Sequence, residues 1–332
     1  MRFGFFVRGR EKAPWLYLQY LIHYIELLAT KESFFINEAE GLLVCLLFQL
    51  VFHMKKKPFE QIQQNLCSHL SEDELVLLPQ KWEKIGSVLI IKLPVSLMSY
   101  KKLIAQVYAE VLQCLSVLLE KEGITGIFRT PNVEHVFGEK NTQTVHKENG
   151  VCFSLDPAKV MFSSGNMDER KRMATISNHH ERVVDLFAGI GYFTLPMAVY
   201  SKPERIIACE INPVAFEFLC KNIELNKVND IVEPVLGDSM KIAPSDYADR
   251  VVMGYFHQTE AFLPTAVNCL KNGKGIIHFH ETYPDKQIPQ MPLEIFEKQL
   301  EISHHSFQIL RYHKVKSFAP GISHYVFDIK VE

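Results

Sequence analysis

The chain has 332 residues, 47% of them hydrophobic, with a formal net charge of −2. The length suits two domains with a sizeable core, and the charge excludes a surface that is attractive to polyanions as a whole, so a nucleic-acid partner needs a local basic face. Seven cysteines with no C-x-x-C pair fit neither a disulfide framework nor a zinc knuckle. They read as reduced thiols of a cytoplasmic protein with no metal.

Residues 1–53 hold two apolar runs, WLYLQYLIHYIELLA (15–29) and GLLVCLLFQLVF (41–52). Both fall short of the roughly 18 uninterrupted apolar residues of a membrane span, and His23 and Glu26 interrupt the first. No small-residue cleavage site marks a signal peptide. The segment reads as helices packed on the body, as sequence upstream of a working start at Met54, or as a membrane-associated helix. Phe59 to Leu78 is helical in pattern, and SVLIIKLP is a strand closed by Pro94. Residues 99–122 repeat apolar positions at three and four and predict one helix ending at Gly123. Short strand-like pieces follow to Pro157. Residues 54–150 are therefore expected to form a small α+β domain, and 151–332 a second domain.

From Arg182 strands alternate with helices. RVVDLFAGIG, RIIACEIN, IVEPVLGD, DRVVMGYF and GKGIIHFHE are the strands, and helical stretches separate them. This alternation predicts an α/β, Rossmann-like, mostly parallel sheet. The last stretch, from His305, is two strands joined by Ala319-Pro320-Gly321, an antiparallel hairpin of the kind that closes class I S-adenosylmethionine (SAM) enzymes.

Ligands of such sheets bind beyond the carboxyl ends of the strands. Asp185 ends the first strand, and Gly189 and Gly191 follow in a turn where backbone approaches a ligand. Glu210 ends the second strand, placed to accept both hydroxyls of a ribose. Asp238 ends the third, placed with Ser239 to accept from an adenine amine. A dinucleotide fingerprint needs a third glycine for close packing of helix on strand, and that position is Thr194. The pattern therefore favours SAM over a dinucleotide. In KVMFSSGNMDERKRM (159–173), Ser163 and Arg170 would face the ligand if the segment folds over the sheet, with arginine suited to a bidentate grip on the donor's carboxylate.

FRTPNVEHVFGE, KVMFSSGNMDER, DLFAGIGYFTLP, ACEINP with KNIELNKV, and VKSFAPG resemble the archaeal and eukaryotic tRNA enzymes that act on guanosine 37 beside the anticodon. The resemblance runs from about Met54 to the end of the chain. One branch of that family methylates guanine at N1, and its sister builds wybutosine by adding a 3-amino-3-carboxypropyl group from SAM. The methylating branch carries an Asn-x-Pro loop after the fourth strand. Here that place reads Met253-Gly254-Tyr255-Phe256, similar to the aminocarboxypropyl branch. The resemblance implies that Ser163, Arg170, Glu210, Asp238 and Ser239 bind SAM. It also implies that a small N-terminal domain helps hold tRNA-Phe by its anticodon loop, with no obligate protein partner and no membrane.

A transferase of that branch must present the γ-methylene of the sulfonium, not its methyl, so positioning decides the product. The segment around Gly254 and Tyr192 is expected to reshape the pocket, with Arg170 and Ser163 steering the tail. The acceptor is then carbon 7 of 4-demethylwyosine. His257 and His280 are the candidates to take the departing ring proton, and Tyr255, a further catalytic candidate, is placed with Phe256 to stack on the base; each also reads as a loop, cap or packing residue. The rivals are N1 methylation of guanosine 37 and a non-catalytic SAM-binding subunit. tRNA phosphates would meet Lys55 to Lys57, Lys101-Lys102, Arg170 to Arg172, Lys314 and Lys316.

Overall fold

The computed structural model describes residues 56–256, 258–302 and 305–332, with the side chains of 122–125 and 300–302 left aside. The readings of residues 1–53 and of His257 lie outside the described residues. The first sheet runs β1 (Glu83–Ile85), β2 (Val88–Ile91), β3 (Ser116–Thr125) and β4 (Thr130–Gly138) in that order. β2 and β3 are parallel, and the other pairs are antiparallel. A parallel pair needs a crossover, which the helix Lys101–Leu112 supplies. Its buried face, with Ile104 and Tyr108, packs with Ile62, Leu66, Leu89 and Val117 into a separate core.

Two expectations fail in this part of the chain. Residues 99–122 are not one helix. Gln113 turns left-handed at φ 54 and its N–H closes on the carbonyls of Ala109 and Glu110, after which Ser116–Thr125 becomes a strand. Ser116 to Leu119 is buried on both faces, and such a run carries no alternation that could separate strand from helix. The expected helix from Phe59 to Leu78 is two, Pro58–Leu66 and Glu72–Val76. The second starts at a capping box in which Ser71 and Glu74 satisfy each other's backbone N–H groups.

A hairpin, β5 (Thr144–Glu148) and β6 (Val151–Leu155), straddles residue 150. It is held to the helix Pro213–Leu225 and its cap by two asparagines one turn apart. Asn222 accepts from Ser154 N (2.6 Å) and donates to Ser154 O (3.1 Å) and Ile190 O (3.0 Å). Asn226 accepts from Cys152 N (2.9 Å) and donates to Cys152 O (2.7 Å). These side chains replace the missing neighbour strand, which is the physical content of the KNIELNKV stretch.

The large sheet has the order β12-β13-β11-β10-β7-β8-β9, with β7 (Arg182–Asp185), β8 (Arg205–Glu210), β9 (Val232–Leu236), β10 (Arg250–Met253), β11 (Gly275–Pro284), β12 (Phe307–Ala319) and β13 (Ile322–Val331). β7 to β11 are parallel, and β13 pairs antiparallel with both β11 and β12. Both faces are covered, one by a cluster around Ile190, Leu195 and Leu219, the other by one around Leu263, Phe279 and Phe296. All four residues of β10 are buried, as expected for a central parallel strand. The helix Gln290–Ile302, which contributes Phe296, follows β11 and has no counterpart in the sequence reading. The strand order reverses between β7 and β10, and a crevice at such a reversal is where open α/β sheets bind ligands.

Candidate active site

Beyond the carboxyl ends of β7, β8, β9 and β10 lies a cavity of about 480 Å³, within the range of small-molecule sites. The turn after β7 is fixed from behind. Asp185 is buried and accepts from Thr194 Oγ1 (2.7 Å) and Phe187 N (3.2 Å). Burial pushes its carboxyl up to about 6. Gly189 adopts φ +59, and a Cβ there would stand 2.4 Å from the Tyr192 ring, so only glycine lets the turn fold onto that ring. Its N–H donates to Glu210 Oε2 at 2.7 Å.

Glu210 therefore ties two strand ends together. Its other oxygen accepts from Asn212 N at 2.7 Å, and burial raises its carboxyl above the usual range. Asn212 in turn accepts from Val214 N (2.9 Å) and donates to Phe128 O (3.1 Å). That last bond docks the tip of the β3–β4 hairpin on the cavity, where Ile127, Phe128 and Arg129 form a wall. Asp238 Oδ1 accepts from Met240 N (3.1 Å), and Ser239 is buried beside it. Met161, Ser163, Asn166 and Arg170 form another side, and Gly254, Tyr255, Phe256 and Gln258 a further one.

Of the eight candidate SAM residues, Ser163, Arg170, Gly189, Glu210, Asp238 and Ser239 line this one cavity. Asp185 and Gly191 do not. Asp185 faces the turn it braces, and Gly191, at φ +101, leaves room for the Leu195 side chain in the core. Both act on the shape of the turn and not at the ligand surface.

Arg170 requires a correction. Its Nε and Nη2 donate to the two oxygens of Glu148 at 2.7 and 2.6 Å, and its Nη1 donates to Ser163 O at 2.8 Å. The bidentate face expected to grip a ligand carboxylate is occupied by a carboxylate of the protein, 22 residues upstream. Burial alone would raise the Glu148 carboxyl, but the hydrogen bonds and charges of Arg170 and His146 outweigh it and hold it at about 2. Ser163 Oγ accepts from Lys316 Nζ at 2.6 Å.

His280 is corrected as well. It is fully buried, stacked under Phe193 at 5.0 Å, and paired through Nδ1 with His324 Nε2 at 3.0 Å. Burial drives it down to about 4, so it is neutral near pH 7, and it does not line the cavity. It belongs to a buried polar cluster in which Glu169 meets Arg172 (2.7 Å) and His313 (3.0 Å), and Asp328 meets Arg172 (2.8 Å) and His278 (2.5 Å). Arg170 is buried against Glu148 and the half-buried Arg172 is committed to Glu169 and Asp328, so both are removed from the residues expected to meet phosphates. Of the described catalytic candidates only Tyr255 reaches the cavity, its ring stacked on Phe187 at 5.0 Å.

Arg129 was not read from the sequence as a site residue. Its guanidinium lies 5.7 Å from the centre of the Tyr255 ring and 5.5 Å from that of Phe256. Among the described residues Nη2 reaches only the Met161 sulfur, at 3.6 Å, and Nε is buried without a partner. Its φ of +52 is unusual for a side-chain-bearing residue and costs of order 1–3 kcal/mol. The sequence signal is the turn Gly126 to Arg129, whose position over the cavity depends on the hairpin's docking.

Acceptors at the ends of β8 and β9, with backbone exposed at Gly189, fit the nucleoside half of SAM: Glu210 for the ribose hydroxyls, Asp238 and Ser239 for the adenine amine. No helix among the described residues is long and apolar enough to cross a membrane.

A family profile described as TRM5/TYW2 methyltransferase domain matches residues 144–309, and one described as TYW2 N-terminal domain matches residues 62–142. The chain is 45% identical over 252 residues to the tRNA(Phe) (4-demethylwyosine(37)-C(7)) aminocarboxypropyltransferase of Methanocaldococcus jannaschii, across 76% of this chain and 98% of that protein. It is 35% identical over 255 residues to the tRNA (guanine(37)-N(1))-methyltransferase Trm5b of Pyrococcus abyssi, across 76% of each chain. The crystal structure of P. horikoshii TYW2 in complex with MeSAdo matches with a TM-score of 0.74 at 40% identity, over 82% of this chain and 98% of that one.

Proposed function

The chain belongs to the TRM5/TYW2 family of SAM-dependent enzymes, and we propose that it transfers the 3-amino-3-carboxypropyl group of SAM to carbon 7 of 4-demethylwyosine at position 37 of tRNA-Phe. The observation that carries this reading is the end of β10. Met253 is buried, and Gly254, Tyr255 and Phe256 follow at the cavity wall. A Cβ on Gly254 would meet the Phe193 ring at 2.6 Å. An asparagine cannot stand there without displacing that ring, so the wall is aromatic where the methylating branch is expected to present an amide.

When bound, SAM supplies a sulfonium whose Cγ–S bond breaks with its electron pair passing to sulfur, leaving neutral methylthioadenosine, while carbon 7 forms the new C–C bond and gives up its proton to solvent water. The residues of this chain act by placement. Glu210 holds the ribose, Asp238 and Ser239 the adenine, and the Gly189 turn admits the donor close to the backbone. Tyr255 and Phe256 supply flat faces suited to an unstacked tricyclic base. Because the attacking carbon is electron-rich, alignment with the breaking bond contributes more to rate than a strong base does. The first sheet, within the expected domain 54–150, serves to hold the tRNA near its anticodon loop, with Lys102 among the exposed cations available to phosphates.

The test is the mass of the product from tRNA-Phe carrying 4-demethylwyosine, with purified protein and SAM. A gain of one aminocarboxypropyl group is expected. A gain of one methyl, or methylation of unmodified guanosine 37, overturns the reading in favour of the sister activity.

A further inference from the structure

Eight buried side-chain polar atoms lack a hydrogen-bond partner among the described residues, and two of them belong to residues that line the cavity: Arg129 Nε and Asn166 Oδ1. One is a cationic donor and the other a neutral acceptor. A half-buried cation with a buried unpaired N–H, and a buried carbonyl oxygen without a donor, are each costly unless a ligand completes them. Among the described residues no carboxylate forms an ion pair with Arg129, although its neighbour Arg170 has one in Glu148. The aromatic rings of Tyr255 and Phe256 sit against the guanidinium and fix its plane.

We propose that Arg129 and Asn166 are the receptor for the amino-acid end of SAM, with Arg129 binding the carboxylate and Asn166 Oδ1 accepting from the ammonium. This rests on the aminocarboxypropyl reading, and deepens it by naming what selects the arm that is transferred. SAM carries one carboxylate and one ammonium, both on that arm. The nucleoside is anchored at Glu210 and Asp238, on the strand ends. The arm is anchored separately, at the hairpin tip and the 159–173 segment, beside the aromatic wall assigned to the acceptor base. A donor held at both ends has its γ-methylene drawn toward that wall. Arg129 stays with the transferred group and not with the leaving nucleoside, so it acts on selection of the bond and not on expulsion of sulfur.

The experiment measures direct binding by calorimetry with three probes: SAM, decarboxylated SAM and methylthioadenosine. Wild type is expected to bind SAM about 10- to 100-fold more tightly than decarboxylated SAM, as befits a charge-assisted hydrogen bond. Arg129→Met is expected to lose that factor for SAM and to change the other two by less than about twofold. Asn166→Leu is expected to weaken SAM and decarboxylated SAM together, while sparing methylthioadenosine. Equal wild-type affinity for SAM and its decarboxylated form overturns the assignment, and needs no variant to fold. So does an Arg129→Met variant that weakens all three probes alike, which marks a structural role, or one that weakens only tRNA binding, which assigns Arg129 to the nucleic acid. Wild-type product mass, read in parallel, separates failure of this inference from failure of the aminocarboxypropyl reading.

Discussion

Glu148→Ala removes one half of the buried Arg170–Glu148 pair, and its cost can be worked in two ways. The two side chains are 2% and 5% exposed and meet through two of the three guanidinium nitrogens, Nε and Nη2, at 2.6–2.7 Å. Deleting one partner of such a pair strands the other charge, at about 3–5 kcal/mol. Independently, the carboxyl is held at about 2 against an ordinary 4.5, and at 1.36 kcal/mol per unit that is about 3 kcal/mol of stability at neutral pH. The folded value is depressed, so this stability is fully present above about 4.5 and is lost as pH falls toward 2. Urea denaturation followed by circular dichroism should give a loss of about 3 kcal/mol for Glu148→Ala at pH 7, shrinking as pH falls below 4.5. The Glu148→Leu/Arg170→Met double variant should lose far less, since it leaves no unpaired charge. A single variant that loses under about 1 kcal/mol, or loses the same amount at pH 7 and pH 3, refutes the pairing.

Gly254→Ala places a methyl 2.6 Å from the Phe193 ring; a stability loss of about 1–3 kcal/mol with lowered transfer is expected, read by thermal melting and product mass. Glu210→Ala should weaken SAM and methylthioadenosine equally, by about 10-fold or more, in calorimetry, because both carry the ribose. His280 sits at about 4 against an ordinary 6.5, so stability tied to its neutral form is present above 6.5 and lost as pH falls through 4. His280→Leu should therefore lose up to about 3 kcal/mol less than wild type between pH 7.5 and 4, measured as the difference between their urea curves at the two pH values.

The strand-end acids were legible because an α/β alternation fixes where each strand stops, and a carboxylate at successive stops is visible in one dimension. Glu210, Asp238, Ser239 and Gly189 fell on one cavity for that reason. The misread helix at 99–122 had a different cause: Ser116 to Leu119 is buried on both faces, which erases the alternation that marks a strand. Arg170 was recognised as part of the site, but its partner was not, because Glu148 reaches it only through the folding of the β5–β6 hairpin. Arg129 was missed because its exposure to the cavity depends on a distant contact, Asn212 with the Phe128 carbonyl. Asp185 has the right position in sequence yet points into the turn, a distinction of side-chain direction that spacing does not carry.

The hydrogen bond from Asn212 to Phe128 O joins the first sheet to the residue pair that follows β8. A half cut free at residue 144, where the transferase-domain match begins, would keep Glu210, Asp238 and Ser239 and forfeit the Ile127–Arg129 side of the cavity. The two sheets are thus not interchangeable modules, since grafting a foreign first sheet would also replace one wall of the cavity. Any load that moves this hairpin is felt by the donor, and donor occupancy pushes back on the hairpin with equal free energy.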